Sequence, residues 1–590
     1  MTCFGARMSK VHPQAHQFLS TKPETELPTG GMAAELLAGR QTVSTVLIDT
    51  LHAMGMQQAF GMIGGAIVPF YDALSRSPLN LVHFRHENGA VYAAIEASLA
   101  DNVPALAFTT TGPGLTNALT GAITARYEGA KLLLISAVTP LSKRGRYPIQ
   151  ESSSESLGPG IYEPGGLFDY AVAMHDPAEL PRIIRTLALG FANPRGFVAH
   201  LALPLPVQAS PAPRVAITVP RVEVAPSVAT MDEVVARLHG RFAVWVGHGA
   251  RHCAAQVAEL VERLKAPVIS TPRGKGIFPE DSPHFLGVSG LGGHEDLVAR
   301  LTEARVDRVL VLGTRLGEIS SSYDAGLIPR GGMIHVDLDP KVPGTAYPEV
   351  ETLAVQAELG QFLTALLERS DELGGPRALT VTPRVPAVQL EPREEDRVRP
   401  RYLMQCLQAR VVEGSDAVVL SETGNSLAWT NRYLRFPSPH RYRMSGMFCP
   451  MGHLSAGILG TAATGRKAVA VVGDGSFLMQ NEISTAAATR ADVIWIVLND
   501  ARYGMCDQGM RCLGYDDAKQ LQFPEVDFLA LARSMGADGV RVWREQQVVD
   551  ALEWALRERG PFVIDVIIDP NELAPVADRI ASIYTQASGA

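Results

Sequence analysis

Charge is scarce in this sequence. Asp, Glu, Lys and Arg make up 19% of its 590 residues, against about a quarter in an ordinary soluble chain, so extensive burial is expected, subunit interfaces included. A basic excess is missing too: the formal net charge is -8, which argues against a nucleic-acid partner, whose phosphates call for clustered Lys and Arg. The six cysteines (Cys3, Cys253, Cys406, Cys449, Cys506, Cys512) show neither metal nor disulfide spacing, as expected of a reduced, cytoplasmic protein. No apolar run reaches the roughly 18 residues of a membrane-spanning helix. Residues 1–40 lack the basic start and apolar centre of a secretory signal and read as a flexible leader. A G-x-G-x-x-G dinucleotide fingerprint is absent as well.

What is present is a hydrophobic content of 46% and length for about three or four domains of roughly 150 residues. Short apolar runs alternate with helical periodicity from 41 to 208: strands over 58–62, 81–84, 105–110, 132–137 and 197–203, with helices over 42–54, 90–99 and 112–124 between. That alternation predicts an α/β unit with a mostly parallel sheet. A Pro- and Val-rich linker over 209–228 leads to a second α/β unit, 229–368, with strands over 243–246, 268–270, 308–312 and 333–336. A charged, Pro-rich linker, 369–400, precedes a third unit, 401–575, and a tail, 576–590. The fold class expected is thus α/β, three doubly wound parallel-sheet domains.

The third unit holds the most informative stretch. An apolar strand, 468–472, ends in Gly473-Asp474-Gly475-Ser476; a polar helical segment follows, and a second strand, 493–498, ends in Asn499-Asp500. With a right-handed crossover both strands end at the same sheet edge, where doubly wound sheets bind ligands. Asp474 and Asp500 are then expected to face one crevice, two hard oxygens suited to Mg²⁺, with a backbone carbonyl after Asp500 as a third ligand. Gly473 and Gly475 admit a phosphate, and the helix after Ser476 aims free N–H groups at it. A turn is the plainer reading of Gly-Asp-Gly alone; the flanking strands and the terminal Asn-Asp lift it to a candidate site.

This pattern resembles the diphosphate-binding motif of thiamine-diphosphate enzymes. The segments GMIGGAIVPFYDAL and RHENGAVYAAIEASLADNVPALAFTTTGPGLTNALTGAITARYEGAKLLLISA resemble the pyrimidine-binding domain of acetolactate synthases and their relatives. STPRGKGIFPEDSPHFLGVSGLGGH and IHVDLDP are similar to the family's central domain; SETGNSLAW, GMFCPMGHLSAGILGTA and PFVIDVIID are similar to its diphosphate-binding domain. The resemblance covers about 41–575.

It implies that Glu87 hydrogen-bonds the cofactor's pyrimidine ring and promotes its proton-removing tautomer, where the residue alone reads as a first-turn glutamate facing a helix dipole. It implies Gly424, Asn425, Ser426, Gly475 and Ser476 on the diphosphate, Met451 as the apolar wedge under the cofactor, and Asp474, Asp500 and the carbonyl of Arg502 on Mg²⁺. The family more often has asparagine where this chain has Asp500, and Asn499 is the fallback ligand if the register is off by one. His453 is a further departure, readable as a packed histidine or as a substrate contact.

Decarboxylating a 2-oxo acid leaves an acyl carbanion equivalent that is either protonated to an aldehyde or joined to a second carbonyl. Aldehyde-forming relatives carry a His-His pair; here Tyr147-Pro148-Ile149-Gln150-Glu151 stands in that region. Gln150-Glu151 resembles the Phe-Gln-Glu of acetolactate synthases, with Gln150 beside the substrate, although a polar loop residue is the alternative. The likeness of VLNDARYGM to acyloin synthases of secondary metabolism, such as the one in scytonemin formation, suggests a 2-oxo acid larger than pyruvate. The expected function is a carboligase; a simple decarboxylase using His453 or His86, or a non-catalytic homologue, is the alternative. The loop 501–523, rich in Gly and Met, reads as a lid without a strong element of its own. FAD is undecided, with Gly247-His248-Gly249 and Gly313-Thr314-Arg315 as candidate lining. The resemblance implies a homodimer or homotetramer.

Overall fold

The computed structural model describes residues 41–577 and 580, apart from 214, 217–219, 221, 375–388 and 516–518. The leader 1–40, nearly all of the tail and parts of both linkers lie outside the described residues. Three six-stranded sheets follow one another, and every strand pairing within them is parallel.

The first sheet comprises β1 (Gln58–Gly61), β2 (Asn80–His83), β3 (Ala105–Thr109), β4 (Lys131–Val138), β5 (Tyr170–Ala173) and β6 (Phe197–Pro204), in the order β2-β1-β3-β4-β6-β5. The central sheet comprises β7 (Phe242–Val246), β8 (Val268–Ser270), β9 (Phe285–Val288), β10 (Arg308–Leu312), β11 (Met333–Asp337) and β12 (Thr352–Gln356), in the order β12-β11-β10-β7-β8-β9. The third comprises β13 (Val418–Ser421), β14 (Tyr442–Met444), β15 (Ala468–Gly473), β16 (Val493–Asn499), β17 (Asp538–Val542) and β18 (Phe562–Ile567), in the order β14-β13-β15-β16-β18-β17. Inner strands such as β16, VIWIVLN, are buried along their whole length, because helices cover both faces of a parallel sheet. Each sheet has a point where strands on either side wind outward in opposite directions, between β1 and β3, β7 and β10, and β13 and β15. Those switch points leave a crevice at the carboxyl edge.

Three sequence expectations change. The helix after Thr111 is two, Pro113–Asn117 and Leu119–Glu128. The helical segment after Ser476 is also two short helices, Asp474–Phe477 and Ile483–Thr489. The 501–523 loop carries a helix, Gly504–Cys512, whose Gln508 amide both donates to the Ala574 carbonyl (2.8 Å) and accepts from the Ala574 N–H (3.0 Å). The loop's base is closed by Tyr503 N–H to Leu521 O and Phe523 N–H to Ala501 O, both 3.0 Å. Its glycines did not stop the helix because one face packs on the third domain.

The first and third domains meet along two helices, α1 (Glu87–Asp101) and α2 (His453–Ala463). Helix α1 is alanine-rich and buried from Gly89 to Leu99 on every side, the pattern of a helix inside a larger body. The crossing depends on Gly457 and Gly460: a Cβ on Gly460 would lie 1.9 Å from the Ala93 carbonyl oxygen. Behind it Arg443 grips Glu96 with two hydrogen bonds, 2.8 and 2.6 Å. Burial pushes the Glu96 carboxyl up, but Arg443 and His453 outweigh it and hold the group down to about 2. The pair thus stabilises the fold above about pH 4.5, and that contribution fades as pH falls from there toward 2. Glu96→Gln is expected to cost about 3 kcal/mol by urea unfolding at pH 7, with the gap to wild type narrowing below about pH 4.5.

Candidate active site

The crevice at the third sheet's switch point is a cavity of about 200 Å³. Its lining comes from the turns after β13 (Thr423 to Ser426), β15 (Gly473 to Ser476) and β16 (Asp500 to Gln508), together with Met451. Three helices start there: α3 (Asn425–Tyr433), α4 (Asp474–Phe477) and α5 (Gly504–Cys512), none capped by the side chain of the residue before it. First-turn N–H groups left without partners are donors for an anion. Gly424 sits at φ 122°, with nothing within 4 Å of where a Cβ would be, so only glycine keeps that turn open.

Asp474 and Asp500 stand side by side, as expected from the crossover. Asp474 Oδ2 accepts the N–H of Asp500 (3.1 Å) and of Ala501 (2.7 Å), and Oδ1 accepts that of Gly475 (2.7 Å). Burial raises the Asp474 carboxyl to about 6. Burial and then the charge of Asp474 raise Asp500 to about 7, with Arg502 opposing; the Arg502 guanidinium is 3.8 Å from Asp500. Two sheltered carboxyls, one of them raised by the charge of the other, suit a divalent cation. Among the described residues no group of three or more His, Cys, Asp or Glu is arranged to hold a metal, so further protein ligands must be other oxygens. The Arg502 carbonyl accepts the Gly504 N–H at 2.9 Å and keeps a second lone pair. Asn425 Oδ1, on the cavity wall, is shielded from water and has no hydrogen-bond partner, an oxygen directed at an absent donor or cation. The residues present therefore fit a magnesium diphosphate.

Asn499 is the exception among the expected ligands. It lies inside β16, and its amide nitrogen donates to Asp565 Oδ1 (2.8 Å) and Val526 O (3.0 Å). Strand alternation turns it away from the edge where Asp500 faces the cavity. Ser426 lines the cavity, but its hydroxyl donates to the Glu422 carbonyl (2.6 Å), leaving its main chain to face a ligand. Ser476 donates its hydroxyl to Thr423 O (3.3 Å), tying two of the turns together. Gly475 lies beneath the Tyr503 ring and the Met451 methyl: a Cβ there would be 2.8 Å from the ring and 3.5 Å from the methyl.

Glu87 and Gln150 lie elsewhere, at the first sheet's switch point. Glu87 opens α1 and is buried, and its Oε2 accepts from Asn117 Nδ2 at 3.0 Å. The turn after β3 touches both candidates: a Cβ on Gly114 would be 3.2 Å from Glu87 Oε1, and one on Gly112 would be 2.9 Å from Gln150 Cβ. Gln150 Oε1 accepts from Thr111 Oγ1 at 3.4 Å. His86 is committed locally, its Nδ1 accepting the Asn88 N–H at the start of α1 (3.1 Å). His453 is fully buried beside Ser445 and Glu96, off the cavity wall.

Within one chain these two sites are separate, since among the described residues none before Pro400 lines the cavity. Helices α1 and α2 run antiparallel, with Glu96 beside His453 and Ala93 beside Gly460. Glu87 is therefore displaced from the Met451 end by nine residues of α1, about 14 Å at 1.5 Å per residue.

At the central switch point the turns Gly247–Gly249 and Gly313–Arg315 close on each other, with Gly249 N–H donating to Gly313 O at 2.9 Å. Arg315 instead lines a cavity of about 260 Å³ with Tyr127, Asp169 and Arg195.

Two site residues carry little signal in the sequence. Asn117 reaches Glu87 only because Pro113–Asn117 is a separate short helix. Glu422, fully buried, accepts the N–H groups of Leu454 (2.9 Å) and Ser455 (2.8 Å) and so fixes the Thr423-Gly424 turn against the start of α2. Its one sequence signal is an acid placed immediately after a strand.

Comparison with known proteins agrees with this geometry. Models of the thiamine pyrophosphate enzyme N-terminal TPP binding domain, central domain and C-terminal TPP binding domain match residues 41–157, 236–366 and 422–566. The putative thiamine pyrophosphate-containing protein YdaP of Bacillus subtilis is 27% identical, over 93% of this chain and 95% of its own length. Acetolactate synthase of Arthrospira platensis is 29% identical, over 90% of this chain and 95% of its own. The acetolactate synthase large subunit of Parasynechococcus marenigrum is 27% identical, over 90% and 88%. With three domain matches in order, each on its own parallel sheet, the chain belongs to the thiamine pyrophosphate enzyme family and is acetolactate synthase-like.

Proposed function

We propose that the protein is a thiamine-diphosphate- and Mg²⁺-dependent carboligase that decarboxylates a 2-oxo acid and joins the acyl unit to a second carbonyl compound. When bound, the cofactor supplies the electron sink for loss of carbon dioxide. In this reading Asp474, Asp500 and the Arg502 carbonyl hold the metal, and the helix starts at Asn425 and Gly504 take the diphosphate. Met451 and Tyr503 wall the site against water, Glu87 holds and moves the proton at the pyrimidine end, and the Gln150 amide orients a substrate oxygen.

The observation that supports ligation over protonation is that, among the described residues, no histidine lines the cavity, with His86 used as a helix cap and His453 buried behind it. With no fixed acid from these side chains to deliver a proton, the site would favour a second carbonyl compound as acceptor. The names of the acetolactate synthase relatives support the same reaction class.

The 14 Å offset of Glu87 supports a homodimer or larger assembly in which one copy's first domain completes the other copy's cavity. Leu478 and Met479, 46% and 56% exposed beside the Met451 turn, are apolar surface for such a contact.

Incubation with pyruvate, phenylpyruvate or indolepyruvate, with an aldehyde acceptor, is expected to give an acyloin by mass spectrometry. Aldehyde as the sole product rejects ligation. A visible spectrum of the purified protein reads out flavin.

A further inference from the structure

A second cavity, of about 30 Å³, lies where the three domains meet. The first domain contributes Glu96, the central domain His248, Arg251, Arg273 and Lys275, and the third His440, Arg443 and Arg466. Five of these are guanidinium or ammonium groups in one small space, and their partners are countable. Arg443 is paired with Glu96 (2.6 Å), Arg273 with Glu128 (2.7 Å) and Lys275 with Glu280 (2.8 Å).

Arg251 and Arg466 have no carboxylate within salt-bridge distance among the described residues; Arg251 reaches only the His248 carbonyl (3.2 Å), and Arg466 only the His440 carbonyl. Asp101 and Asp416 act on Arg466 from beyond that distance. Three ring or guanidinium nitrogens on this wall, His248 Nε2, Arg251 Nε and Arg273 Nε, are shielded from water and have no hydrogen-bond partner. The Arg251 and Arg273 Nε–H groups are donors, buried donors without acceptors are rare in native proteins, and a positive charge left unpaired away from water is costly. Burial, then Arg273 and Arg443, push the Arg251 guanidinium down to about 9.

We propose that this three-domain junction is a binding site for one small inorganic anion, of chloride or bicarbonate size, held by Arg251, Arg466 and the neighbouring Arg273 and His248. The space accepts about two waters' worth of volume, which excludes nucleotides and organic phosphates. Since the central and third domains supply the cations of the wall, the anion offsets repulsion between them and joins those domains. The proposal does not rest on the carboligase reading, because none of these residues lines the candidate active site.

The test uses the full chain at constant ionic strength, exchanging gluconate for bromide while following thermal unfolding. A saturable rise in Tm of about 2 °C or more is expected for wild type. It should be lost in both Arg251→Met and Arg466→Gln, two substitutions that also guard against misfolding of either one. Crystals soaked in bromide should show an anomalous peak within hydrogen-bonding distance of Arg251. A linear, non-saturating bromide effect shared by both variants, or ordered water in place of the peak, overturns the proposal.

Discussion

Glu87→Gln is expected to lower kcat/KM by at least about a hundredfold, the usual contribution of a general acid–base group, without disturbing the fold. Glu87 is buried at the start of α1, and its side chain accepts a hydrogen bond from Asn117. Glutamine fills the same space, so circular dichroism and Mg²⁺ binding at the distant Asp474 should be unchanged while turnover collapses. A wild type without turnover, and a variant unchanged in every measurable property, would instead support a fold kept as a non-catalytic binding module.

The same variant tests the assembly. Glu87→Gln and Asp474→Ala, each inactive alone, damage different domains; if the site forms between copies, co-expression should restore about a quarter of wild-type activity. Half of a random mixture is heterodimer, and one of its two sites is then intact. No recovery would place both halves of the site in one chain, which the antiparallel arrangement of α1 and α2 contradicts.

The second large effect is expected at the carboxylate pair. Asp474→Ala should leave below about 1% of activity and abolish saturable Mg²⁺ binding in calorimetry. Asp474 supplies charge to the cavity, and its Oδ2 also gathers the N–H groups of Asp500 and Ala501, so its loss loosens the turn that aims Asp500. Asp500→Asn is expected to behave differently. The amide keeps an oxygen at the sheet edge and removes one of two facing charges, since Asp500 is pushed up partly by Asp474. Activity within about tenfold of wild type and a higher Tm for the metal-free protein are expected. Equal losses at the two positions would mean that the negative charge of Asp500, not only its oxygen, is needed.

Several features are legible in the amino-acid sequence because they are local. A run of buried β-formers ending in Gly-Asp-Gly has few ways to fold, and β15, β16 and the turns that follow them lie where residue type and spacing place them. Asp500 and Asn499 are adjacent, and strand alternation sends one into the cavity and the other into Asp565, which the spacing alone leaves open. Strands β5, β9, β12, β13, β14, β17 and β18 are not among the expected strands: β5, β12, β14 and β17 are edge strands, none buried along its whole length, β9 is interrupted by Gly287, and β13 and β18 are short apolar runs that periodicity alone does not assign.

The sequence by itself determined the three parallel-sheet domains, the carboxylate pair at one edge and the glutamate opening a buried helix, because each follows from residue type and spacing over a few tens of residues. Only the tertiary structure decided the rest. The α1–α2 crossing, allowed by the bare backbones of Gly457 and Gly460, carries Glu87 away from its own chain's cavity. The domain junction gathers Arg251, Arg273, Arg443 and Arg466 from distant sequence positions. Both outcomes depend on how preformed surfaces pack, and pairing across hundreds of residues leaves no periodic trace in the chain.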